Sequence, residues 1–451
     1  MRILKVVHSF PPHTFAGTEV YSYQLSKELA KRSGVSVFFR VKNTADPEYL
    51  LKHNNYQGLE TYSINHTFGS CESFRGTFRD SNIDEKFVEV LNGVKPDIVH
   101  IHHLLFLSHG IIDEIKKRNI PIVYTLHDYW LFCYRGQLVK DGLKACIDHS
   151  IPQCRECLKF LVNIKKHTLS IYFIIKRSLP PVVLIPLKKI YHFLVRKAST
   201  QKAQDYRESA LSVSLKIDRF IAPSNFIRDK FIAEGFPAEK IIHCDYGFNT
   251  QGYDKSANKR QGPLRFGYLG TLIPTKGADI LIKAFKGIKE KDIKLDIYGR
   301  LCAYSSYEYY PGLLKKLCKK DKRINLRGEY DNQRIAGILS GIDVLVVPSI
   351  WPENSPLVIH EAFLAKVPVI ASRCGGIPEL IIDGENGLLF NPADLDDLRK
   401  KLEYVIGNKR ILEKFKKNLP KIKSIEENAR ELQTIYRSLI SEKTSRPRPT
   451  P

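Results

Sequence analysis

Short apolar runs that are each followed by a predicted helix constrain this chain more than any other feature. The first run covers residues 3–7, a helix follows at about 18–32, and the next run covers 35–39. The same order recurs late in the chain, where a run at 342–347 leads into another helix. Buried strands that alternate with helices are typical of a parallel, doubly wound α/β sheet.

Length and composition indicate two such sheets. A chain of 451 residues is too long for one typical core and suits two domains of about 200 residues each. With 43% hydrophobic and 26% charged residues, the composition is that of a soluble globular protein. The apolar start is a predicted strand and lacks the pattern of a signal peptide, and no uncharged apolar run reaches the length of a membrane span.

The segment after the run at 342–347 carries an anion-binding pattern. Ser355 suits the N-cap of the next helix, and Pro356 suits its first position, where a missing N–H costs nothing. The following amides, those of Leu357 and Val358, then lack intrahelical acceptors. Together with the helix dipole, these amides would bind an anion such as a phosphate.

Two carboxylates bracket this predicted anion site. Glu353 precedes it, and Glu361 lies roughly 7 Å further along the helix axis. Carboxylates repel a phosphate, so the pair makes sense if the ligand also carries hydroxyls that need acceptors. A nucleotide sugar is such a ligand. An ordinary amphipathic helix would explain the fold but not the two carboxylates.

The Glu353-x7-Glu361 spacing resembles the signature of the family-4 glycosyltransferases, which have the GT-B fold. The residues that strengthen the likeness are Pro348-Ser349 before the pair, Ser355-Pro356 inside it and Cys374-Gly375-Gly376-Ile377-Pro378-Glu379 after it. The resemblance implies two Rossmann-like domains that face each other across a cleft, and a reaction that retains the configuration of the anomeric carbon. It also implies that Glu353 contacts the donor sugar and that Glu361 binds the nucleotide ribose.

Further site residues follow from the same resemblance. Lys276 matches a lysine that clamps the donor diphosphate, but Thr271 stands where the family has an arginine. Gly17 matches one of two glycines in the first strand–helix loop, and the other is Ala16 here. His127, at the end of a predicted strand, corresponds to a histidine that contacts the donor sugar, and a core histidine is the alternative.

Other residues could complete a diphosphate site. Arg265, Arg300 or Arg373 could replace the missing arginine. The amides at Gly375 and Gly376 could approach a phosphate closely, because glycine lacks a Cβ atom. Lys276 and the helix amides would stabilise the leaving diphosphate without a metal, so we expect catalysis to need no cofactor.

The resemblance also sets the expected domain boundaries. We predict an N-terminal, acceptor-side domain over residues 1–245, with an insertion at about 131–205, and a C-terminal nucleotide-sugar domain over 246–424. A helix at 425–441 would cross back to the first domain. The Pro-rich, charged tail at 442–451 is predicted to be disordered.

Four cysteines of the insertion suggest a metal site. They are Cys133, Cys146, Cys154 and Cys157. A Cys-x2-Cys pair with two further cysteines nearby fits a structural zinc site with four cysteine ligands, and free thiols or a redox pair fit as well.

Two other patterns that resemble metal sites have simpler explanations. His100 and His102 share one face of a strand, but no third ligand follows at a suitable spacing, which favours histidines at the end of a sheet strand. Asp394 and Asp396 resemble a DxD motif, but they lie at a predicted helix start. Acidic residues cap such a start and complement the helix dipole.

The net charge of +23 calls for an anionic partner. Residues 159–204 carry ten Lys or Arg and no Asp or Glu, with apolar clusters between them. Such a stretch is typical of a segment that lies on an anionic membrane surface, and a solvated basic face is the alternative. We expect no nucleic-acid partner, because no recognised binding motif is present.

The nine cysteines, an odd number, suggest a reducing compartment. The expected location is therefore the cytoplasm, peripheral at the inner face of the membrane. The predicted function is transfer of a sugar from a nucleotide diphosphate sugar to a glycan or lipid-linked acceptor, as in polysaccharide biosynthesis. A nucleotide-sugar epimerase of similar fold, which the Glu353–Glu361 pair argues against, and a non-catalytic nucleotide-sugar-binding protein are the alternatives.

Overall fold

The computed structural model describes residues 1–69, 71, 73–158, 181–253, 262–302, 304 and 307–444. Within these ranges the strands form two sheets, one from each half of the chain. Alternate residues of each strand point to opposite faces of its sheet, and an apolar core covers both faces. The predicted fold class, two doubly wound parallel-sheet domains, is confirmed.

The first sheet is built from the N-terminal half. Its strands are β1 (Arg2–Val7), β2 (Gly34–Val41), β3 (Leu51–Tyr56), β4 (Leu59–Asn65), β5 (Ile98–Ile101), β6 (Ile122–Thr125), β7 (Arg219–Ala222) and β8 (Ile241–His243). They lie in the order β3-β4-β2-β1-β5-β6-β7-β8, and all neighbours are parallel except β3 and β4. The helices of this half are α1 (Gly17–Ala30), α2 (Ser81–Val94), α3 (Gly110–Lys117), α4 (Ile151–Leu158), α5 (Pro181–Lys216) and α6 (Asn225–Ala233).

The hairpin of β3 and β4 lies between residues 40 and 80, where no helix or strand was predicted from sequence. Its two-residue turn is Gln57-Gly58, with φ of 50° and 85°. Two positive φ values in a two-residue loop match the right-handed twist of the flanking strands. The antiparallel β3 forms the edge of an otherwise parallel sheet, and four consecutive residues of it are exposed.

The second sheet is built from the C-terminal half. Its strands are β9 (Leu264–Leu269), β10 (Ile293–Tyr298), β11 (Ile324–Gly328), β12 (Val344–Val347), β13 (Val369–Ser372) and β14 (Gly387–Phe390). They are parallel throughout, in the order β11-β10-β9-β12-β13-β14. The helices are α7 (Ala278–Lys286), α8 (Tyr310–Cys318), α9 (Ile335–Leu339), α10 (Leu357–Leu364), α11 (Ile377–Leu380), α12 (Leu395–Gly407), α13 (Ile411–Lys417) and α14 (Ile425–Thr444).

The chain crosses between the two halves at one close contact of two segments. Phe248 N donates to Lys423 O at 3.0 Å, and Ile425 N donates to Phe248 O at 2.8 Å. A Cβ atom on Gly247 would lie 2.5 Å from a backbone oxygen of Ser424, so a larger residue would not fit there. Beyond this contact, α14 returns to the first half and buries its apolar side in the core beside α1.

Helix α5 begins inside the basic stretch at residues 159–204 and continues past its end. Its C-terminal part packs into the first core through Ala203, Tyr206 and Val213, whereas Phe193 is 65% exposed. Residues 159–180 of the predicted membrane-binding stretch lie outside the described residues. In the described ranges the helices are too short or too polar to cross a bilayer.

Candidate functional site

The carboxyl ends of the two sheets meet through the turn that follows β12. Asn354 Nδ2 donates to Leu126 O at 2.8 Å, and Asn354 Oδ1 accepts from Ser224 Oγ at 2.7 Å. Tyr129 OH donates to Pro352 O at 2.8 Å. Doubly wound sheets bind ligands at this end of their strands, so the contact marks the candidate site.

Helix α10 begins one residue later than predicted. Pro356 is the cap residue, and Leu357 is the first helical residue. Ser355 Oγ does not cap the helix, because it lies 2.9 Å from Asp245 Oδ1 and 2.8 Å from His360 Nε2. The prediction of Ser355 as the N-cap is therefore wrong, and its hydroxyl joins α10 to the segment that links the two halves.

The first amides of α10 keep the property for which they were singled out. The earliest bond of the first turn runs from Ile359 N to Pro356 O at 3.0 Å. The N–H groups of Leu357 and Val358 precede that bond, and they face the carboxyl end of the sheet. This arrangement can hold an anion.

Glu353 and Lys276 form one polar unit beside these amides. Lys276 Nζ lies 2.6 Å from Glu353 Oε1 and 5.1 Å from the centroid of the Trp351 ring. Ser349 Oγ and Trp351 Nε1 donate to the same carboxylate oxygen at 2.6 and 2.8 Å. The Glu353 side chain is 6% exposed and that of Lys276 is 28% exposed. The two residues that the resemblance assigns to sugar and diphosphate are thus in direct contact.

Gly375 and Gly376 pack directly on the turn that carries Glu353. A Cβ atom on Gly375 would lie 2.0 Å from Glu353 O, and one on Gly376 would lie 2.0 Å from Asn354 O. Gly375 also has a φ of 61°, which favours glycine. Gly376 N donates to Glu353 O at 2.7 Å, so this amide is not free for a phosphate as predicted. The two glycines hold the Glu353 turn in place.

Glu361 lies on α10 with its carboxyl partly buried. Burial raises the pKa of Glu361 to about 7. Burial, together with the charge of Glu361, also raises the pKa of the Tyr253 and Tyr330 phenols, which places both rings near this carboxyl. A partly buried carboxyl without a partner in the described chain can accept hydrogen bonds from ligand hydroxyls.

His127 lies at the carboxyl end of β6, with both ring nitrogens in use. Its Nδ1 is 2.7 Å from Tyr246 OH, and its Nε2 is 3.0 Å from His102 Nδ1. Burial, and then the neighbouring His103, lower the pKa of His127 to about 3, so the ring is neutral. A contact with the donor sugar would require His127 to give up one of these two bonds.

A polar cluster beside His127 was not predicted from sequence. His103 Nε2 lies 3.0 Å from Asp128 Oδ2, and His8 Nε2 lies 3.4 Å from Glu19 Oε1. Among the described residues, His8 Nδ1 and Glu19 Oε2 are buried without a partner. The available signal was position, because His8 directly follows β1 and Asp128 lies three residues after β6 in a parallel sheet.

Gly17 faces the anion-binding end of α10 across the cleft. It is the first residue of α1, and a Cβ atom there would lie 3.5 Å from Leu357 Cδ1.

His100 and His102 stack at 4.3 Å in the core, where His100 contacts Lys5 and Thr125. The interpretation of this pair as sheet histidines agrees with these contacts.

Thr271 stands where the family has an arginine, and three other arginines were considered as its replacement. They lie in different places. Arg265 is near the amino end of β9 and pairs with Asp296. Arg373 pairs with Asp383 at 2.7 Å. Arg300 is exposed at the carboxyl end of β10, and no described side chain binds its guanidinium. Of the three, Arg300 is therefore the free cation at the candidate site.

Arg300 also lies directly beside Thr271. Leu272 N donates to Arg300 O at 3.0 Å, and Leu272 and Leu301 form a parallel bridge. Thr271 and Arg300 each precede a bridge partner, so their side chains leave the two segments on the same side.

The four cysteines of the predicted zinc site are gathered at the first core. All four are free thiols, and three of them, Cys133, Cys146 and Cys154, pack against that core. Burial raises the pKa of Cys133 to about 11 and that of Cys154 to about 12, and the neighbouring thiols, among them Cys157, add to the shift. Within the described ranges, no three His, Cys, Asp or Glu side chains are arranged to hold a metal ion. The structural zinc stays a prediction.

Two protein families match this chain. The family described as Glycosyl transferases group 1 matches residues 250–422, and Glycosyltransferase Family 4 matches residues 15–157. The first match includes Lys276, Glu353 and Glu361, and the second includes Gly17 and His127.

Among curated proteins, an uncharacterized glycosyltransferase of Methanocaldococcus jannaschii is 32% identical over 196 residues, which is 43% of this chain. The match covers 51% of that relative, so the chain spans about half of its length. An uncharacterized 42.6 kDa protein from the cps region of Klebsiella pneumoniae is 24% identical over 89% of this chain and 96% of its own.

Among solved structures, Anabaena HepE in complex with UDP has a TM-score of 0.61 at 17% identity and covers 98% of both chains. At this identity the likeness concerns the fold. It agrees with the two parallel-sheet halves and the cleft between them. The chain belongs to the family-4 type of glycosyltransferases with the GT-B fold.

Proposed function

We propose that this glycosyltransferase moves a sugar from a nucleotide diphosphate sugar to a glycan or lipid-linked acceptor, with retention of configuration as the resemblance implies. One observation carries the proposal. The free amides of α10, the Lys276–Glu353 unit and the partly buried Glu361 line one end of one sheet. This set offers positive groups to a diphosphate and acceptors to hydroxyls.

The chemistry follows from these positions. As the bond between the anomeric carbon and the diphosphate oxygen breaks, negative charge develops on the leaving oxygen. The Lys276 ammonium and the amides of Leu357 and Val358 would stabilise that charge. Glu353 Oε2 binds no described donor and would accept from a sugar hydroxyl, and Glu361 would accept from the ribose. The acceptor hydroxyl oxygen forms the new bond to the anomeric carbon, and its proton passes to the leaving diphosphate oxygen.

Two relatives and one surface region support the other parts of the proposal, which are the nucleotide donor, the glycan acceptor and the membrane. HepE is solved with UDP, and the Klebsiella relative comes from a cps region. The first supports a nucleotide donor and the second a glycan acceptor. Within the described part of the basic stretch at residues 159–204, three residues of α5 are exposed: Phe193, Arg196 and Lys197. Their exposure supports docking on an anionic membrane.

Thermal unfolding of the full-length protein with a panel of nucleoside diphosphates and their sugars tests the proposal. A ligand at 100 times its Kd stabilises the folded state by about 2.7 kcal/mol, which is readily measured. We expect a shift with at least one nucleotide, and transfer from the matching nucleotide sugar when acceptor is added. No shift with any nucleotide would overturn the proposal.

Arg300 should supply the cation that Thr271 lacks. We expect Arg300→Met to weaken donor binding by about tenfold, a typical loss for one charge-assisted hydrogen bond. Adding Thr271→Arg to that variant should restore most of the affinity, because the two side chains leave adjacent segments on the same side. Calorimetric titration with the nucleotide sugar gives both numbers.

Arg373→Met is the matched control, since Arg373 is bound to Asp383. It should change donor affinity by less than twofold. An Arg300→Met variant that binds donor like the wild type would exclude Arg300 from the diphosphate site.

A further inference from the structure

Among the described residues, an arginine at the carboxyl end of the first sheet forms no ion pair with a carboxylate. Arg40 is the next-to-last residue of β2 and is partly buried. Its Nε donates to His66 O at 2.7 Å. The remaining four N–H groups of its guanidinium bind nothing among the described residues. A nearby carboxylate, Glu48, is bound instead to His66 and Thr67, with its closest contact at 2.6 Å.

Two phenylalanines flank this guanidinium. The Arg40 guanidinium carbon lies 5.6 Å from the centroid of the Phe68 ring and 4.9 Å from that of Phe106. The two rings meet edge to face at 5.3 Å. Phe106 is 37% exposed, so the cluster opens to solvent. Aromatic rings hold a guanidinium in place while its N–H edges stay free.

The backbone at both phenylalanines supports a role in ligand binding. Phe68 and Phe106 each have a φ of 64°, which a bulky side chain rarely adopts. These conformations turn both rings toward Arg40. Unusual backbone of this kind is found most often at binding and active sites.

The cluster of Arg40, Phe68 and Phe106 lies next to the catalytic cleft. In the parallel pairing of β1 and β2, Val7 is opposite Phe39, which brings Arg40 opposite His8. Neighbouring strands are about 4.8 Å apart, so Arg40 is one strand away from the polar cluster of His8 and Glu19. The donor groups Lys276 and Glu361 belong to the C-terminal half, in the turn before α7 and in α10. A ligand at Arg40 therefore enters from the acceptor side.

We propose that Arg40, Phe68 and Phe106 form an acceptor subsite that binds an anionic group, a phosphate or a carboxylate, of the acceptor. A guanidinium pairs with either group through two parallel hydrogen bonds. A partly buried cation that pairs with no carboxylate in the described part of the chain gains most from such a ligand. The inference rests on the proposed function, since it concerns the acceptor of the same reaction.

The test uses full-length protein with UDP at saturation, so that the nucleotide site is filled. Calorimetric titration then compares three probes: glucose 1-phosphate, glucuronic acid and neutral methyl glucoside. We expect at least one anionic probe to bind tenfold more tightly than methyl glucoside. Preference for the first indicates a phosphate-linked acceptor, and preference for the second indicates an acidic glycan.

Variants locate the binding. Arg40→Met should weaken the preferred probe at least tenfold, and Arg40→Lys should weaken it less, because lysine keeps the charge but not the two-pronged geometry. Phe106→Leu keeps the bond from Arg40 to His66 and should weaken binding at least threefold. Lys42→Met removes a nearby exposed cation and should have no effect. UDP affinity should be the same in all four variants.

Two results would overturn the subsite. One is equal binding of the neutral and anionic probes, and the other is unchanged binding in both Arg40→Met and Phe106→Leu. Failure of the wild type to bind any nucleoside diphosphate, UDP included, would instead count against the proposed function. The anionic probes still report on Arg40 in that case, so the two failures are distinguishable.

Discussion

Replacing Lys276 by methionine should lower kcat by about 10²- to 10³-fold, the usual loss when one group that stabilises a developing oxyanion is removed. Methionine keeps the length of the side chain but removes the ammonium from Glu353 Oε1, 2.6 Å away. The buried Glu353 carboxylate would keep Ser349 and Trp351 as its donors. Steady-state rates of transfer at saturating donor and acceptor measure the effect.

Lys276 could also act only by neutralising Glu353, and a second variant separates the two roles. Glu353→Gln alone is the reference, because loss of this carboxylate also slows turnover. If neutralisation were the whole role of Lys276, adding Lys276→Met to Glu353→Gln would slow turnover no further. If Lys276 stabilises the leaving diphosphate, the double variant is slower than Glu353→Gln alone. Lys283→Met is the matched control, since Lys283 pairs with Asp279 on the exposed side of α7. A fall of less than threefold in Lys276→Met would contradict the assigned role.

The elements that were predicted from sequence are those with a strong local signal. Apolar runs predicted β1 and β12 to within two residues at each end, because strands buried on both faces are mostly apolar. The prediction that Asp394 caps a helix was also correct. Its side chain accepts from Asp397 N at 2.9 Å at the start of α12. Short-range chemistry settles such features without knowledge of the fold.

The features that escaped prediction depend on contacts distant in sequence. Lys276 and Glu353 are 77 residues apart, and their ion pair exists because β9 and β12 are neighbours in the second sheet. The placement of Ser355 was wrong because its partner Asp245 lies 110 residues earlier. The hairpin of β3 and β4 has a different, local cause. It was not predicted because the polar residues of an exposed edge strand give no apolar pattern.

Glu361 should make donor affinity depend on pH. Its pKa of about 7 means that much of the free protein holds this carboxyl protonated at neutral pH. The ribose hydroxyls need an acceptor, so the carboxylate is the form that binds. Below pH 7 the affinity should fall about tenfold per pH unit, because proton loss must precede binding. Between pH 6 and pH 8 we expect the Kd for the nucleotide sugar to fall about tenfold.

Glu361→Gln removes the titrating group and keeps the shape of the side chain. Its affinity for the nucleotide sugar should be lower by about 1–3 kcal/mol, the cost of a lost hydrogen bond to a charged group, and it should be independent of pH.

Titration with UDP-glucose is preferable to titration with UDP, because a terminal phosphate ionises near pH 6 and would add its own pH dependence. Glu403→Gln, on the exposed side of α12, should keep the wild-type profile. If the wild type bound UDP-glucose equally at pH 6 and pH 8, or if Glu361→Gln kept the slope, Glu361 would not be the ribose acceptor. The change of donor affinity with pH also distinguishes Glu361 from Glu353. Loss of Glu353 should slow turnover and leave nucleotide binding unchanged.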